Sequence, residues 1–393
     1  KRARTGAYRP ADEPDVVVSF EVFKLPPRWA FLRLVTKKGI VGWGEPNLEG
    51  WTDTVLMAVK EMMPSVIGED ASRIQYIWQK LYRQKFYTGG PVLMSAMAGI
   101  DQALWDIKGK TLGVPVHQLL GGAVRTRLKV YRWCGGDDNT PEEAAAEAKQ
   151  VLAASNYKQL KMNACPRMAY IDGEGAVMQA VARMKAVREA VGDSVGIGLD
   201  FHGRVKVPMC KTLMAALAPF KPLFYEEPVS AEQNEALSAM AASTTVPLAT
   251  GERMFTVAAF RDLLQRRCVD IVQPDCSHCG GISNLLTISR LAESYDVSLA
   301  PHCPLGPVAL ASCLHVDACS VNFVFQETSM GIHYNAEGSV DLLDYVSNKE
   351  DFEVDSEGYV PLPQRPGLGL VIDEERVRKE AVGGHSWKER EWT

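Results

Sequence analysis

A chain of 393 residues in which 46% are hydrophobic and 23% charged has a globular composition, is too long for one typical compact domain, and excludes a disordered or fibrous protein. Its 43 basic against 48 acidic residues leave a net charge of −5, without the cationic excess that neutralises phosphates, so nucleic acid is not an expected partner. No apolar run reaches the roughly 20 residues needed to span a bilayer, and Lys1-Arg2-Ala3-Arg4 leads into Pro10 and acidic residues instead of an apolar signal core, so the reading is a cytoplasmic protein with no membrane partner.

Residues 1–14 are charged, contain Pro and lack periodicity, which reads as a flexible tail. Val16 to Leu25 then reads as a strand. Pro26-Pro27-Arg28-Trp29 breaks it, and Ala30 to Val35 followed by Lys37-Lys38-Gly39 and a strand ending near Trp43 gives a hairpin or meander. From Thr52 to Lys110 the apolar spacing is helical, so residues 15–125 form an α+β unit. After Gly121-Gly122 the pattern changes to short apolar runs separated by helical stretches such as Pro141 to Ala154, Gly175 to Val191 and Ile282 to Tyr295. The runs are Lys129–Trp133, Lys158–Asn163, Val195–Asp200, Pro222–Glu226, Val246–Thr250, Val269–Gln273, Val297–Pro301 and Val321–Gln326. Eight parallel strands with crossover helices are the count that closes a TIM-type β/α barrel. A doubly wound open sheet is the alternative, but no Gly-x-Gly-x-x-Gly follows the first strand.

Asp200, Glu226, Glu252, Asp275, His302 and Glu327 each lie at or just beyond one of these runs, at successive gaps of 26, 26, 23, 27 and 25 residues. That is one β/α unit per step. All six side chains should therefore converge at the C-terminal rim of the barrel, where such folds place their chemistry. Three carboxylates on neighbouring strands, Asp200, Glu226 and Glu252, offer the oxygen-only donor set of a hard divalent ion, with Mg²⁺ the best fit. Glu227 follows Glu226, but adjacent strand residues face opposite sides, and phase favours Glu226. Asp275 and His302 end consecutive strands, where the carboxylate can hold the ring N–H and raise the basicity of the other nitrogen. His202, two residues beyond Asp200, should face the same side and supply a second proton-transfer group. The nine cysteines form no dense framework, and Cys276-Ser277-His278-Cys279 lacks the second pair that a four-ligand zinc site needs.

The order Asp, Glu, Glu, Asp, His, Glu on successive strands resembles the enolase superfamily, mandelate racemase subgroup, as do Met94 to Lys110, Asp200-Phe201-His202-Gly203-Arg204, Gly251-Glu252-Arg253-Met254, Ala300 to Pro307 and Gln326 to Ile332. The resemblance implies a (β/α)7β modification of the barrel over residues 126–345. It also implies that the α+β unit is a capping domain completed by the C-terminal segment 346–393. It further implies Mg²⁺ on Asp200, Glu226 and Glu252, His302 as base with Asp275 as its orienting partner, and His202 as general acid. Glu327 would donate to the enolate oxygen from a carboxyl kept protonated in a pocket poor in water.

Lys161-Met162-Asn163 stands where racemases of the family carry Lys-x-Lys. Asn163 cannot take a proton, which weighs against racemisation and for loss of the 3-hydroxyl from an acid sugar after removal of the carbon 2 proton. Lys161, Asn163 and Arg28 are the expected substrate contacts, with capping loops around Pro26–Trp29 and Pro46–Trp51 reading the stereochemistry. The sequence does not resolve which epimeric acid is bound, and leaves a racemase or a non-catalytic barrel as alternatives. A homo-oligomer is expected from the family's habit.

Overall fold

The computed structural model describes residues 13–136, 139–332 and 340–387; most of the expected tail, and the last residues of the expected C-terminal segment, lie outside these. Strands β1 (Val17–Leu25), β2 (Trp29–Thr36) and β3 (Val41–Gly44) form an antiparallel sheet in which Leu25 faces Trp29 across the break at Pro26 to Arg28. The helical stretch divides into α1 (Thr52–Met62), α2 (Ile74–Arg83), α3 (Pro91–Leu112) and α4 (Val116–Leu119). Helix α3 is buried on most of its circumference because it lies between the antiparallel sheet and the second layer of the molecule. Its approach to β3 needs glycine: a Cβ on Gly44 would stand 1.9 Å from the Gly99 carbonyl oxygen.

The second layer alternates strand and helix: β4 (Arg127–Trp133), α5 (Pro141–Ala154), β5 (Gln159–Asn163), α6 (Glu174–Val191), β6 (Gly196–Asp200), α7 (Val207–Leu217) and β7 (Phe224–Glu226). It continues through α8 (Leu237–Ala241), β8 (Leu248–Thr250), α9 (Val257–Gln265), β9 (Ile271–Val272), α10 (Ile282–Glu293), β10 (Ser298–Leu299), α11 (Pro307–Cys319) and β11 (Gln326–Thr328). Thr140 caps α5 through a reciprocal bond pair with Glu143, with Pro141 at the first helical position, which explains why that boundary was legible. The eight strands run parallel in the order β11-β4-β5-β6-β7-β8-β9-β10. A parallel bridge from Leu299 to Phe323 joins the two ends of the sheet. Eight strands with seven helices between them are the (β/α)7β arrangement among the described residues.

The last apolar run, Val321 to Gln326, is only partly strand. Phe323 makes the closing bridge, and regular pairing begins at Gln326, so Glu327 lies within β11 rather than beyond it.

Tyr131, Phe224, Ala249, Ile271 and Ala300 fill one layer of the barrel interior, so it is a packed core and not a pore. Beyond β11, β12 (Tyr359–Pro361) pairs antiparallel with β4, and α12 (Glu374–Glu380) returns to β1 and β2 through Arg378–Glu21 and Arg33–Glu374 ion pairs. The segment therefore touches barrel and cap alike. Glu45, just past β3, accepts from the Gly306 and Ala309 amides at the start of α11, so a side chain of the first layer satisfies backbone donors of the second and ties the two together. No helix among the described residues is long and apolar enough to cross a membrane.

Candidate active site

Strand register brings the polar residues to one level. Asn163 pairs with Asp200 and Asp200 with Glu226 across β5, β6 and β7, and parallel partners point to the same side. Glu252, two residues past β8, joins them: one oxygen of each of Asp200, Glu226 and Glu252 lies within 4.8 Å of the others. Asp200 Oδ2 and Glu252 Oε2 are buried and accept no hydrogen bond. Burial, with repulsion from Asp200, pushes Glu226 well above the usual carboxylate range, and burial with repulsion from Glu227 pushes Glu252 up to about 8. At Asp200 burial acts the same way, but His202 and Lys161 outweigh it and the carboxyl stays low. Converging oxygens, two without donors and two held toward the neutral form by crowding, fit a hard divalent cation. Glu227, just past β7 with φ 39°, makes an ion pair with Arg253 at 2.6 Å, so a backbone turn and not strand alternation sets its direction.

The two histidines flank this triad. His302 Nδ1 lies 2.8 Å from Asp275 Oδ2, and its Nε2 is 3.3 Å from Glu252 and 4.0 Å from Glu327. Burial lowers its basicity, but Glu252, Glu327 and Asp275 raise it more, so the ring is held toward its protonated form. On the other flank His202 Nδ1 lies 2.8 Å from Asn163 Oδ1, and its Nε2 is 3.2 Å from Asp200. An amide oxygen only accepts, so Nδ1 carries the hydrogen and Nε2 faces the site. The reason expected from sequence was wrong in detail. His202 is not on an extended strand: its φ is 49°, and the turn, held by its own amide donating to Asp200 Oδ1, aims the ring against Trp133.

Lys161 is 1% exposed, with Nζ 2.8 Å from both Glu226 and Glu327, so it forms the floor of the site and its charge is already shared. Burial would push the Glu327 carboxyl up, as expected of a protonated donor, yet Lys161 and His302 prevail and hold it below the usual range. Glu327 is an ionised acceptor here, bonded also by the Cys303 amide. Arg28 donates to Pro304 O at 2.9 Å, two residues beyond His302 in sequence. Sequence reasoning missed Gln273, which donates to Glu226 Oε2 at 2.8 Å; a polar residue ending an apolar run was the available signal. All nine cysteines are free and eight are buried.

Residues 14–121 match the family model "Mandelate racemase / muconate lactonizing enzyme, N-terminal domain", and 143–376 match "Enolase C-terminal domain-like". D-galactonate dehydratase of Ralstonia nicotianae is 51% identical over 376 residues, 96% of this chain and 97% of that protein. The protein of the same name from Pectobacterium atrosepticum is 52% identical over the same shares. Among solved structures, an enolase from Agrobacterium radiobacter with bound sodium and L-malate superposes with a TM-score of 0.86 at 30% identity, covering 96% of this chain and 97% of that one.

Proposed function

The chain belongs to the mandelate racemase / muconate lactonizing enzyme family, and on that premise we propose that it is a hydro-lyase converting D-galactonate to 2-dehydro-3-deoxy-D-galactonate and water. The observation that carries this reading is the placing of two histidines on opposite flanks of one carboxylate triad, each with its Nδ1 hydrogen committed to a different acceptor. Asp200, Glu226 and Glu252 are the residues that would hold Mg²⁺, which when bound supplies positive charge to the substrate carboxylate as carbon 2 is deprotonated.

With the charge of Glu252 committed to Mg²⁺, the hold that keeps the free ring toward its protonated form would weaken, and neutral His302 Nε2 takes the carbon 2 proton. Asp275 holds the opposite nitrogen and stabilises the imidazolium that forms, as a carboxylate does for any histidine base. His202, its Nδ1–H held by Asn163 and its Nε2 also protonated, gives the Nε2 proton to the departing 3-hydroxyl, which leaves as water, and the resulting enol tautomerises to the 2-keto acid by taking a proton at carbon 3. Lys161 is the donor best placed to meet charge growing on the substrate carboxylate, and ionised Glu327 orients it. Asn163 supports dehydration over racemisation, since it serves His202 and offers no second base.

A screen of epimeric aldonic acids with Mg²⁺ tests the proposal: D-galactonate should give a 2-keto acid. Exchange of the carbon 2 proton without product would point to a racemase, and product from D-gluconate or D-mannonate alone would move the substrate assignment. A homo-oligomer is part of the same reading, supported by the adjacent exposed aromatics Phe86 and Tyr87, and light scattering tests it.

A further inference from the structure

Behind the base pair lies a third histidine, one that the mechanism does not use. His278, the histidine of Cys276-Ser277-His278-Cys279, is 4% exposed and sits between β9 and α10. Its Nδ1 lies 3.2 Å from Ser95 Oγ of α3, and its Nε2 is 3.4 Å from Glu49 Oε2 and 3.7 Å from Asp275 Oδ2. The Asp275 oxygen it approaches is the one that holds His302; the other accepts the Ser277 amide at 2.6 Å. Glu49 belongs to the capping loop between β3 and α1, and its Oε1 is 3.9 Å from Arg28 Nη2. Arg28, Glu49, His278, Asp275 and His302 thus form a chain of alternating charge from the cap to the base.

We infer that His278, clamped by Glu49, is a positioning residue for Asp275, and that it couples the capping loop to the base His302. The physical reason is a pair of carboxylates, Asp275 buried and Glu49 partly buried, that face the same imidazole nitrogen, where a cation between them offsets their repulsion. Burial opposes charge on His278, but Asp275 and Glu49 outweigh it and favour the protonated ring. That cation fixes the Asp275 carboxylate oxygen that holds His302 Nδ1. A shift of Glu49 with its loop therefore changes the grip on the base without touching substrate.

The inference rests on the proposed role of His302, so its test has one arm that needs no substrate. In the magnesium-loaded enzyme acting on D-galactonate, His278→Gln should lower kcat and carbon 2 deuterium exchange together by about 10- to 100-fold, with KM within roughly threefold. Glu49→Gln should lower them less, and the double variant should be no slower than His278→Gln alone, because Glu49 acts through His278. Without substrate, the downfield proton resonance of His302 Nδ1–H, identified by its loss in His302→Asn, should move in both single variants. An unchanged kcat, a loss confined to KM, multiplicative effects in the double variant or an unmoved resonance would each overturn the inference. If His278→Gln fails to fold, Glu49→Gln carries the kinetic and spectroscopic tests. If the wild type does not turn over D-galactonate, the functional reading fails while the resonance still decides this one.

Discussion

Asp275→Asn replaces one oxygen by an amide nitrogen of similar size, so it isolates the charge that supports His302. The pair is 2.8 Å apart, and a carboxylate and an imidazolium at that distance attract by about 6 kcal/mol at an effective dielectric constant near 20. Not all of this is lost, because Glu252 and Glu327 still face the other nitrogen at 3.3 and 4.0 Å. A net loss of about 3–5 kcal/mol in the transition state corresponds to a fall in kcat of roughly 10²–10⁴-fold. The new amide can also donate to Nδ1 and leave the hydrogen on Nε2, the nitrogen that must accept the substrate proton. The assay is 2-keto acid formation alongside carbon 2 deuterium exchange, with circular dichroism and a Mg²⁺-dependent melting curve to show that fold and metal binding persist. Exchange at the wild-type rate in a folded, metal-binding variant would refute the reasoning, because the pair would then be structural only.

Chelation should abolish turnover and Mg²⁺ should restore it, and Mg²⁺ should also raise the melting temperature by relieving the repulsion among Asp200, Glu226 and Glu252; an unchanged rate in chelator-treated enzyme would exclude the metal assignment. His302→Asn should lose both dehydration and carbon 2 exchange, whereas His202→Asn should lose dehydration, keep slow exchange, and regain part of its rate on a substrate with fluoride at carbon 3; the reverse pattern would mean that acid and base are exchanged. His315 is buried against His117, and burial together with that neighbour pushes its imidazole down to about 3. Between that value and the ordinary one near 6.5 the unfolded chain binds the extra proton, so this group's stabilisation falls as pH drops, by up to about 1.4 kcal/mol per unit. Urea unfolding of wild type and His315→Leu at pH 7 and pH 5 should show a flatter dependence in the variant, and equal slopes would contradict it.

What the sequence alone determined is the frame and the roster of the site. A β/α unit has a nearly constant length, so polar residues recurring every 23 to 27 positions had to meet at one rim; Glu226 joins the oxygen cluster there, while Glu227 is set by a turn at φ 39° that strand alternation does not describe. Even the wrong reason for His202 gave the right direction, since a tight turn after Asp200 returns the ring to the same mouth. Charge state and partnership were decided only by the tertiary structure. Glu327 is ionised because Lys161, from a strand at the other end of the barrel's chain order, lies 2.8 Å away, and His278 meets Glu49 across more than two hundred residues of sequence. Neither contact leaves a periodic trace, because an ionisation equilibrium depends on burial and on every charge within a few ångströms, and those neighbours are assembled by packing rather than by local spacing.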